Sequence, residues 1–340
     1  MNGYALKTDV EIDKSKELFA KLAPFFEQCY DGVADNFFQQ VEQLLTELKK
    51  EWDTGNLIIS LADDLERVVN YRIITYALGS TFAELNAPDY SLIRDALITI
   101  GAESSTGKSS FLSALALEIL KHNQDTAFIF YSLDDSIYLT GKRILSQITG
   151  KNQFHVSFDK GTLTPENINL LGRIVLRDQF NIHTFEWEAL KAKEVCNSRK
   201  IIVGIDYLQV IPNTTEMLQR EFFNWIMKEL KETHKRLESN GCILFLLSQF
   251  NRDKKSGGYR YRETSEIENQ SDVCIDIHAS DDSQDASRKI KVQKNKLGRK
   301  GRELTTEIND AFLFTPLRGC TVEKVERSQE NKSYHPGDLR

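Results

Sequence analysis

The sequence has few cysteines and no long apolar run. Its five cysteines are scattered and form no Cys-x-x-Cys pair, so neither a disulfide framework nor a structural zinc site is expected. No apolar stretch approaches the roughly 20 residues that a membrane-spanning helix needs, and the first residues lack the apolar core of a secretory signal. We therefore expect a reduced, cytoplasmic chain without a membrane partner.

The chain also lacks an excess of positive charge, since its formal net charge is −6. Any surface for nucleic acid must therefore be local. Residues 252–262 combine Arg, Lys, Tyr and Gly, which is typical of a mobile loop on a phosphate backbone, and residues 288–302 contain eight basic residues and no acidic one. Taken alone, each segment is more typical of a solvated basic face that balances acidic stretches such as 281–285.

A loop of small residues ending in Gly107-Lys108-Ser109 stands between the apolar run 96–100 and an amphipathic run that begins at Phe111. This strand–loop–helix context predicts a phosphate-binding loop, because a helix N-terminus directs several backbone N–H groups at one point and favours negative charge. An ordinary strand–turn–helix is the alternative, and it leaves the Gly-Lys-Ser unexplained. The predicted nucleotide-binding residues are Ala102, Glu103, Ser104, Ser105, Thr106, Gly107, Lys108, Ser109 and Ser110.

Two side chains of this loop have expected roles. Lys108 would bring a positive charge to the β- and γ-phosphates, and the Ser109 hydroxyl would be a ligand of Mg²⁺, which prefers hard oxygen atoms. Ala102 stands where such loops usually have their first glycine.

A second acidic motif supports this prediction. The apolar run 200–206 has the composition of a central parallel strand and ends at Asp206. Ligands of open α/β sheets bind at the carboxyl ends of the strands. Asp206 is therefore the second predicted Mg²⁺ ligand. The alternative, an Asp that caps the following turn, is less consistent with the phosphate loop.

Periodicity divides the chain into three parts. Residues 1–78 predict a small α-helical region whose last helix is 60–78, residues 79–322 predict an α/β motor domain with a mostly parallel, twisted sheet and flanking helices, and the polar residues 323–340 predict a flexible tail. The predicted strands are 96–100, 126–132, 180–184, 200–206, 242–248, 273–278, 288–294 and 303–308. The predicted helices of this domain are 108–121, 135–149, 164–177, 186–196 and 216–239.

Residues 79–309 resemble the C-terminal motor domain of the DnaB-type replicative helicases, a family of RecA-like ring ATPases. The resemblance begins in the lead-in Gly79–Asn86 and continues through runs in the family's order. These runs are the phosphate loop, Tyr131-Ser-Leu-Asp134, Ile205-Asp-Tyr-Leu-Gln209, Leu247-Ser-Gln-Phe-Asn-Arg252, Ile267-Glu-Asn-Gln-Ser-Asp-Val273 and Lys294-Asn-Lys-Leu-Gly298.

The resemblance implies a RecA-like P-loop core, ATP and Mg²⁺ as cofactors, single-stranded DNA as partner and a homo-oligomeric, hexameric ring. It also implies roles for individual residues. Asp134 takes the place of the acidic residue that orients the attacking water, and Gln249 the place of a glutamine beside the γ-phosphate. Lys294 and Lys296 take the places of residues that reach the nucleotide of the neighbouring subunit.

The sequence departs from the family at three points. The acidic residue is Asp134 where the family has Glu, and Asp135 is a second candidate. The trans-acting Arg is Lys296, a point charge in place of a planar fork, with Arg299 as the alternative. The upstream residues 1–78 are fewer than the family's N-terminal domain and linker helix, so we expect a short helical cap that contacts the adjacent subunit or replication proteins.

These features predict an ATP-hydrolysing, ring-forming DNA helicase or translocase that acts on single-stranded DNA. In this interpretation the loop 253–262 contacts DNA in the centre of the ring. The predicted DNA-binding residues are Lys254, Lys255, Arg260 and Arg262. The alternative is a RecA-like ATPase that remodels or signals through partner proteins without unwinding DNA, which the short helical region and the altered Asp134 and Lys296 would suit.

Overall fold

The computed structural model describes most of the predicted motor domain. The described residues are 74–86, 93–155, 163–213, 215–252, 259–261, 265–280, 285–296 and 298–317, with side chains except in 251–252 and 259–261. The predicted helices of residues 1–73 and the predicted tail 323–340 lie outside the described residues. Residues 74–78, assigned above to the end of a helix, are extended, and Thr75 forms an antiparallel bridge with Arg94.

A ten-stranded sheet organises the domain. Its strands are β1 (Leu97–Ala102), β2 (Thr126–Ser132), β3 (Ile174–Arg177), β4 (Lys200–Asp206), β5 (Cys242–Arg252), β6 (Tyr259–Tyr261), β7 (Val273–Ala279), β8 (Ser287–Asn295), β9 (Glu303–Ile308) and β10 (Phe314–Pro316). Their order is β10-β9-β8-β7-β1-β5-β4-β2-β3, and β6 pairs with the end of β5. The pairings from β7 to β3 are parallel, whereas β8, β9 and β10 are added in antiparallel fashion.

Helices cover the sheet, and local signals in the sequence set their ends. The helices are α1 (Lys108–His122), α2 (Ile137–Thr149), α3 (Pro165–Leu171), α4 (Phe185–Val195), α5 (Gln219–Leu237) and α6 (Glu266–Gln270). The Ser136 side chain accepts a hydrogen bond from the Leu139 amide at the start of α2, and Gly150 ends that helix in a left-handed conformation. Thr164 caps α3 in the same way, with proline at its first position.

Two apolar cores lie on opposite faces of the sheet. One includes α1 residues such as Phe111 and Leu115, and the other includes α4 and α5 residues such as Phe185 and Phe223. Every residue of β1 and β2 is buried, as the apolar composition of central parallel strands predicts. Gly204 of β4 lets α1 approach closely, because a Cβ there would lie 2.9 Å from Leu112 Cδ2.

Two predicted elements of the middle of the domain are wrong. The helix predicted at 164–177 ends at Leu171, because the run Ile174–Arg177 pairs in parallel with β2 and forms β3. Burial against a strand thus overrides the local helical pattern. The possible strand at 180–184 is a turn, in which the Asn181 side chain and carbonyl accept hydrogen bonds from the next residues.

Two further details concern membrane and loop predictions. The segment 253–262, predicted as a loop, includes the strand β6, and β5 extends to Arg252. Among the helices of the described residues, none combines the length and the apolar character needed to cross a bilayer.

Candidate nucleotide-binding site

The carboxyl ends of four parallel strands meet at one edge of the sheet. The parallel register pairs Ala102 of β1 with Gln249 of β5, and it pairs Ser132 of β2 with Asp206 of β4. Since β5 lies between β1 and β4, the phosphate loop, Gln249 and Asp206 come from three adjacent strands. The sheet therefore brings together motifs that are far apart in the sequence.

The predicted phosphate loop forms a tight turn between β1 and α1. Ser105 has φ 60° and Gly107 has φ 97°, and the second value lies in the left-handed region that glycine favours. In the described part of the chain, no side chain caps the first turn of α1, whereas serine and threonine cap α2 and α3. The first N–H groups of α1 therefore suit an anion as partner.

The predicted nucleotide-binding residues differ in exposure along this turn. Ala102, Thr106, Lys108 and Ser110 are buried, Glu103, Gly107 and Ser109 are half-buried, and Ser104 and Ser105 are exposed. The exposed serines place the backbone of the turn at the protein surface, where a phosphate chain could reach it.

Lys108 is folded back over its own loop. Its ammonium Nζ donates hydrogen bonds to the carbonyl oxygens of Ala102 (3.3 Å) and Glu103 (2.9 Å). Burial lowers the pKa of Lys108, while the nearby carboxylates of Asp206 and Asp134 act in the opposite direction. A buried ammonium held only by carbonyl oxygens is well suited to exchange those partners for phosphate oxygens.

Asp206 and Ser109 meet beside this lysine. Asp206 is 4% exposed, and the Ser109 hydroxyl donates a hydrogen bond to its carboxylate. Burial raises the pKa of Asp206 to about 6, although Ser109, Arg143 and Lys108 all favour the ionised form. A carboxylate that is costly to ionise and lies next to a hydroxyl fits a divalent cation, which would compensate the buried charge.

Asp134 and Asp135 follow β2 and have different surroundings. Asp134 is exposed, and its charge acts on Lys108, so it lies near the phosphate loop. Asp135 is half-buried, and one of its carboxylate oxygens lies 2.8 Å from Arg143 Nη2. The carboxylate of Asp135 is thus engaged in an ion pair, which leaves Asp134 the better placed to act on a water molecule.

Arg143 of α2 belongs to the site although no pattern in the sequence indicated it. Its Nε and Nη1 atoms are buried without a hydrogen-bond partner among the described residues, and its guanidinium lies 5.7 Å from the centre of the Phe312 ring. Arg143 also lowers the pKa of Asp206 by its charge. It therefore connects the acidic residues at the ends of β2 and β4.

Gln249 is held by a second glutamine. Gln209, which follows β4, donates from Nε2 to the Ser248 hydroxyl (2.9 Å), and its Oε1 accepts from the Gln249 amide (3.2 Å). The two ends of one side-chain amide thus bind consecutive residues of β5. Gln209 ends the run Ile205–Gln209 that resembles a family motif, but nothing in the sequence indicated this contact.

The antiparallel strands support the phosphate loop from its other side. Arg288 of β8 donates from Nε to the Thr106 carbonyl (2.9 Å), and a Cβ on Gly107 would lie 3.5 Å from Ile308 of β9. The basic segment 288–302 therefore forms strands, and its first residue contacts the loop backbone.

Lys294, Lys296 and Arg299 lie at the opposite edge of the sheet. Lys294 pairs with Cys274 near the start of β7, and the Lys296 amide donates to the Asp272 carbonyl. Arg299 follows in the turn after β8, where its carbonyl accepts a hydrogen bond from Asn295. β1 has six residues, so its two ends are about 17 Å apart, farther than a lysine reaches. The structure does not bring these three residues to the phosphate loop of their own chain.

One of the four predicted DNA-binding residues lies in a described segment. Arg260 belongs to β6, whose antiparallel pairing joins Tyr261 to Phe250 of β5. The hairpin thus grows from the strand that carries Gln249. Lys254, Lys255 and Arg262 lie outside the described residues.

The described residues also bear on metal binding. Among them, no group of three or more His, Cys, Asp or Glu side chains converges on a metal position. Mg²⁺ in nucleotide sites typically takes one or two protein oxygens and completes its shell with phosphates and waters. Ser109 and Asp206 are consistent with that ligand set.

A phosphate loop before α1, a buried aspartate at the end of β4 and a glutamine between them define a RecA-like P-loop ATPase. The model of the DnaB-like helicase C-terminal domain family matches residues 77–311, and the chain belongs to this family. Membership implies an ATP-hydrolysing motor domain of the helicase type. No curated protein matches the chain.

Solved structures are similar in fold. One, whose title describes an ATPase domain, has a TM-score of 0.60 at 17% identity, covering 76% of this chain and 99% of its own. Another, titled as a DnaB-like replicative helicase and its interactions with primase, has a TM-score of 0.64 at 17% identity, covering 91% of this chain and 77% of its own. A KaiC-like protein from Pyrococcus horikoshii OT3 has a TM-score of 0.50 at 16% identity, covering 72% of this chain and 99% of its own.

Proposed function

We propose that the protein is an ATP-driven translocase or helicase that assembles as a ring, most simply a hexamer, around single-stranded DNA. One observation carries the proposal. The site at the carboxyl edge has the groups to bind and hydrolyse ATP, while Lys294 and Lys296 are exposed or half-exposed at the opposite edge. In a head-to-tail ring the second edge of one subunit faces the first edge of its neighbour.

In this proposal the phosphate loop and Lys108 bind the phosphates of ATP. Lys108 exchanges its carbonyl partners for phosphate oxygens, and the uncapped N–H groups of α1 donate to the same anion. Ser109 and Asp206 would hold Mg²⁺, which when bound neutralises charge on the β- and γ-phosphates. The buried carboxylate of Asp206 supports this assignment.

Asp134 orients the attacking water, and Gln249 contacts the γ-phosphate. Asp134 is solvent-accessible and near Lys108, so it can accept a hydrogen bond from a water on the phosphate chain. Gln209 fixes the backbone of Gln249, so loss of the γ-phosphate can be transmitted along β5 into the hairpin with β6. That hairpin leads into the proposed DNA contacts Lys254, Lys255, Arg260 and Arg262.

Lys294 and Lys296 complete the site of the neighbouring subunit. A phosphoryl-transfer transition state spreads negative charge over the phosphate oxygens, and an added cation stabilises it. Residues 1–78 are proposed as a helical cap that contacts the neighbouring subunit or other replication proteins, and the chain as cytoplasmic. These assignments extend the family membership and rest on the positions of the residues.

The decisive experiment measures ATP hydrolysis with and without a single-stranded oligonucleotide, alongside native mass spectrometry. We expect hydrolysis to increase with the oligonucleotide and the assembly to be a closed ring with a non-hydrolysable ATP analogue. Lys108→Ala should keep the melting temperature and lose hydrolysis. Hydrolysis that is indifferent to DNA in every assembly state would contradict the proposal and favour an ATPase that acts on partner proteins.

A further inference from the structure

The run Ile267–Val273 has no part in the site described above. In the structure it forms α6 and the turn into β7. This segment lies at the edge of the sheet opposite the phosphate loop, where Lys294 and Lys296 also lie. Its contacts show what it does for those two lysines.

The carboxylate of Asp272 is the centre of this segment. Its Oδ1 lies 3.1 Å from Lys296 Nζ, and its Oδ2 lies 2.5 Å from Lys231 Nζ on α5. The backbone amide of Leu97, at the start of β1, donates to Oδ2 at 3.0 Å. Asp272 thus ties the strand of the phosphate loop, helix α5 and Lys296 to one point.

Backbone atoms of the same segment hold the neighbouring lysine. Lys294 Nζ donates to the carbonyl oxygens of Glu268 and, at 3.3 Å, of Asn269. The Lys296 amide donates to the Asp272 carbonyl at 2.9 Å. Residues 268–272 therefore fix both lysines, one through the carbonyls that end α6 and one through a carboxylate.

The exposure of the partners suggests presentation of a cation rather than simple packing. The Asp272 side chain is 15% exposed and the Lys231 side chain 16%, whereas Lys296 is 43% exposed. Burial alone would raise the pKa of Asp272, but the hydrogen bonds from Lys231, Leu97 and Lys296 lower it below its usual value. A buried, ionised carboxylate thus holds the end of a lysine that still reaches the surface.

We propose that Asp272 is a positioning residue that holds Lys296 in place for the nucleotide of the neighbouring subunit. The proposal rests on the trans role of Lys296 proposed above. A free lysine side chain populates many rotamers, and ordering it costs roughly 2 kcal/mol of entropy. Asp272 places this cost in folding, before the transition state forms. An ammonium has three donors, so a bond to Asp272 is compatible with another to a phosphate oxygen.

The test compares three variants of the full-length protein in their steady-state kinetics. Asp272→Asn keeps the size of the side chain and an oxygen for the Leu97 amide, but it removes the charge that holds Lys296. Lys296→Ala removes the cation itself. Glu303→Gln is the matched control, because Glu303 pairs with Lys291 on the neighbouring strand β8 at 3.4 Å, away from the proposed site.

We expect Asp272→Asn to lower kcat by roughly 10- to 100-fold with little change in KM for ATP, since a displacement of about 1 Å has effects of this size. Glu303→Gln should behave as the parent. The double variant of Asp272→Asn and Lys296→Ala should be no slower than Lys296→Ala alone, because both changes remove one cation from one place. A role confined to folding would make the two losses add.

The outcomes separate the two proposals. If Lys296→Ala lowers kcat but an assembled, folded Asp272→Asn does not, the positioning role is wrong and the trans role of Lys296 stands. Parental kcat in Lys296→Ala would overturn both. If Asp272→Asn does not fold, Asp272→Glu replaces it: this variant keeps the charge but moves it by one methylene, so kcat should still fall. Parental kcat in Asp272→Glu would then overturn the positioning role.

Discussion

The Ser109 hydroxyl donates a hydrogen bond to the carboxylate of Asp206, which joins the first turn of α1 to the end of β4. The two residues belong to separate motifs, and the glycine at position 204 allows the close approach of α1 that brings them together. The bond occupies the position where Mg²⁺ would bind. It therefore represents the arrangement that the cation would replace.

The first prediction concerns this buried carboxylate. The pKa of Asp206 is raised from 3.8 to about 6, so ionisation is less favourable in the folded state than in the unfolded state. The stabilising contribution is complete below about pH 4 and is lost as the pH rises through about 6, at a cost of roughly 3 kcal/mol at most. Asp206→Asn should therefore raise the melting temperature at pH 8 without Mg²⁺, and this gain should vanish below pH 4.

The same residue should make Mg²⁺ binding depend on pH. Because the cation binds the ionised form, stabilisation of the parent by Mg²⁺ should weaken as the pH falls below about 6. Asp206→Asn should lose that stabilisation at every pH, together with hydrolysis. A parent whose melting temperature responds equally to Mg²⁺ at pH 5 and pH 8 would contradict the assignment of Asp206.

The second prediction separates Asp134 from Asp135. Asp134→Asn should abolish hydrolysis and leave ATP binding intact, because the carboxylate is proposed to act on the water. Asp135→Asn should have the milder effect on hydrolysis but should lower the melting temperature, since it leaves Arg143 without its charged partner. Hydrolysis rates and binding of a fluorescent ATP analogue measure both effects. The reverse ranking in hydrolysis would assign the catalytic role to Asp135.

The third prediction concerns Gln209. Gln209→Ala removes both hydrogen bonds that fix Ser248 and the Gln249 backbone, so hydrolysis should lose its stimulation by single-stranded DNA more than its basal rate. Gln124→Ala is a suitable control, because its amide donates to the Lys121 carbonyl at an exposed position away from the site. Equal losses of basal and DNA-stimulated hydrolysis in Gln209→Ala would argue against a role in coupling.

The sequence predicted those parts of the site that consist of local patterns. The phosphate loop and Asp206 each follow an apolar strand, so period and composition were sufficient to place them. The contacts of Arg143 with Asp135 and of Arg288 with Thr106 could not be predicted, because they depend on how helices and strands pack. Residues 174–177 were assigned to a helix for the same reason: a neighbouring strand, absent from any local window, made them β3.

The edge positions of Lys294 and Lys296 also lay beyond the sequence. Two basic residues after a strand give no information about which end of the sheet they reach. The antiparallel pairing of β8 with β7 decides it, because it returns the chain to the edge where the parallel strands begin. The trans role could thus be expected only by resemblance, and its geometric support comes from the sheet.

The final prediction tests that trans role by mixing variants. Lys296→Ala alone should lower hydrolysis by less than the about 10³- to 10⁵-fold that an arginine finger contributes, because an ammonium cannot bridge two phosphate oxygens as a guanidinium does. Lys296→Arg should keep or increase the rate. Arg299→Ala should have little effect if Lys296 is the trans-acting cation, and a loss as large as that of Lys296→Ala would assign the role to Arg299.

Mixing Lys296→Ala protein with Lys108→Ala protein provides the decisive measurement. Neither variant alone should hydrolyse ATP well, but in mixed rings some interfaces join an intact phosphate loop to an intact Lys296, and hydrolysis should rise above both. The rise should be largest near equal proportions, where such interfaces are most frequent. The co-assembly is checked by native mass spectrometry with tags of different mass. Mixed rings that hydrolyse no faster than the average of the two variants would mean that Lys296 acts within its own chain or not at all. The 17 Å or so between the two ends of β1 makes action within the chain difficult to reconcile with this fold.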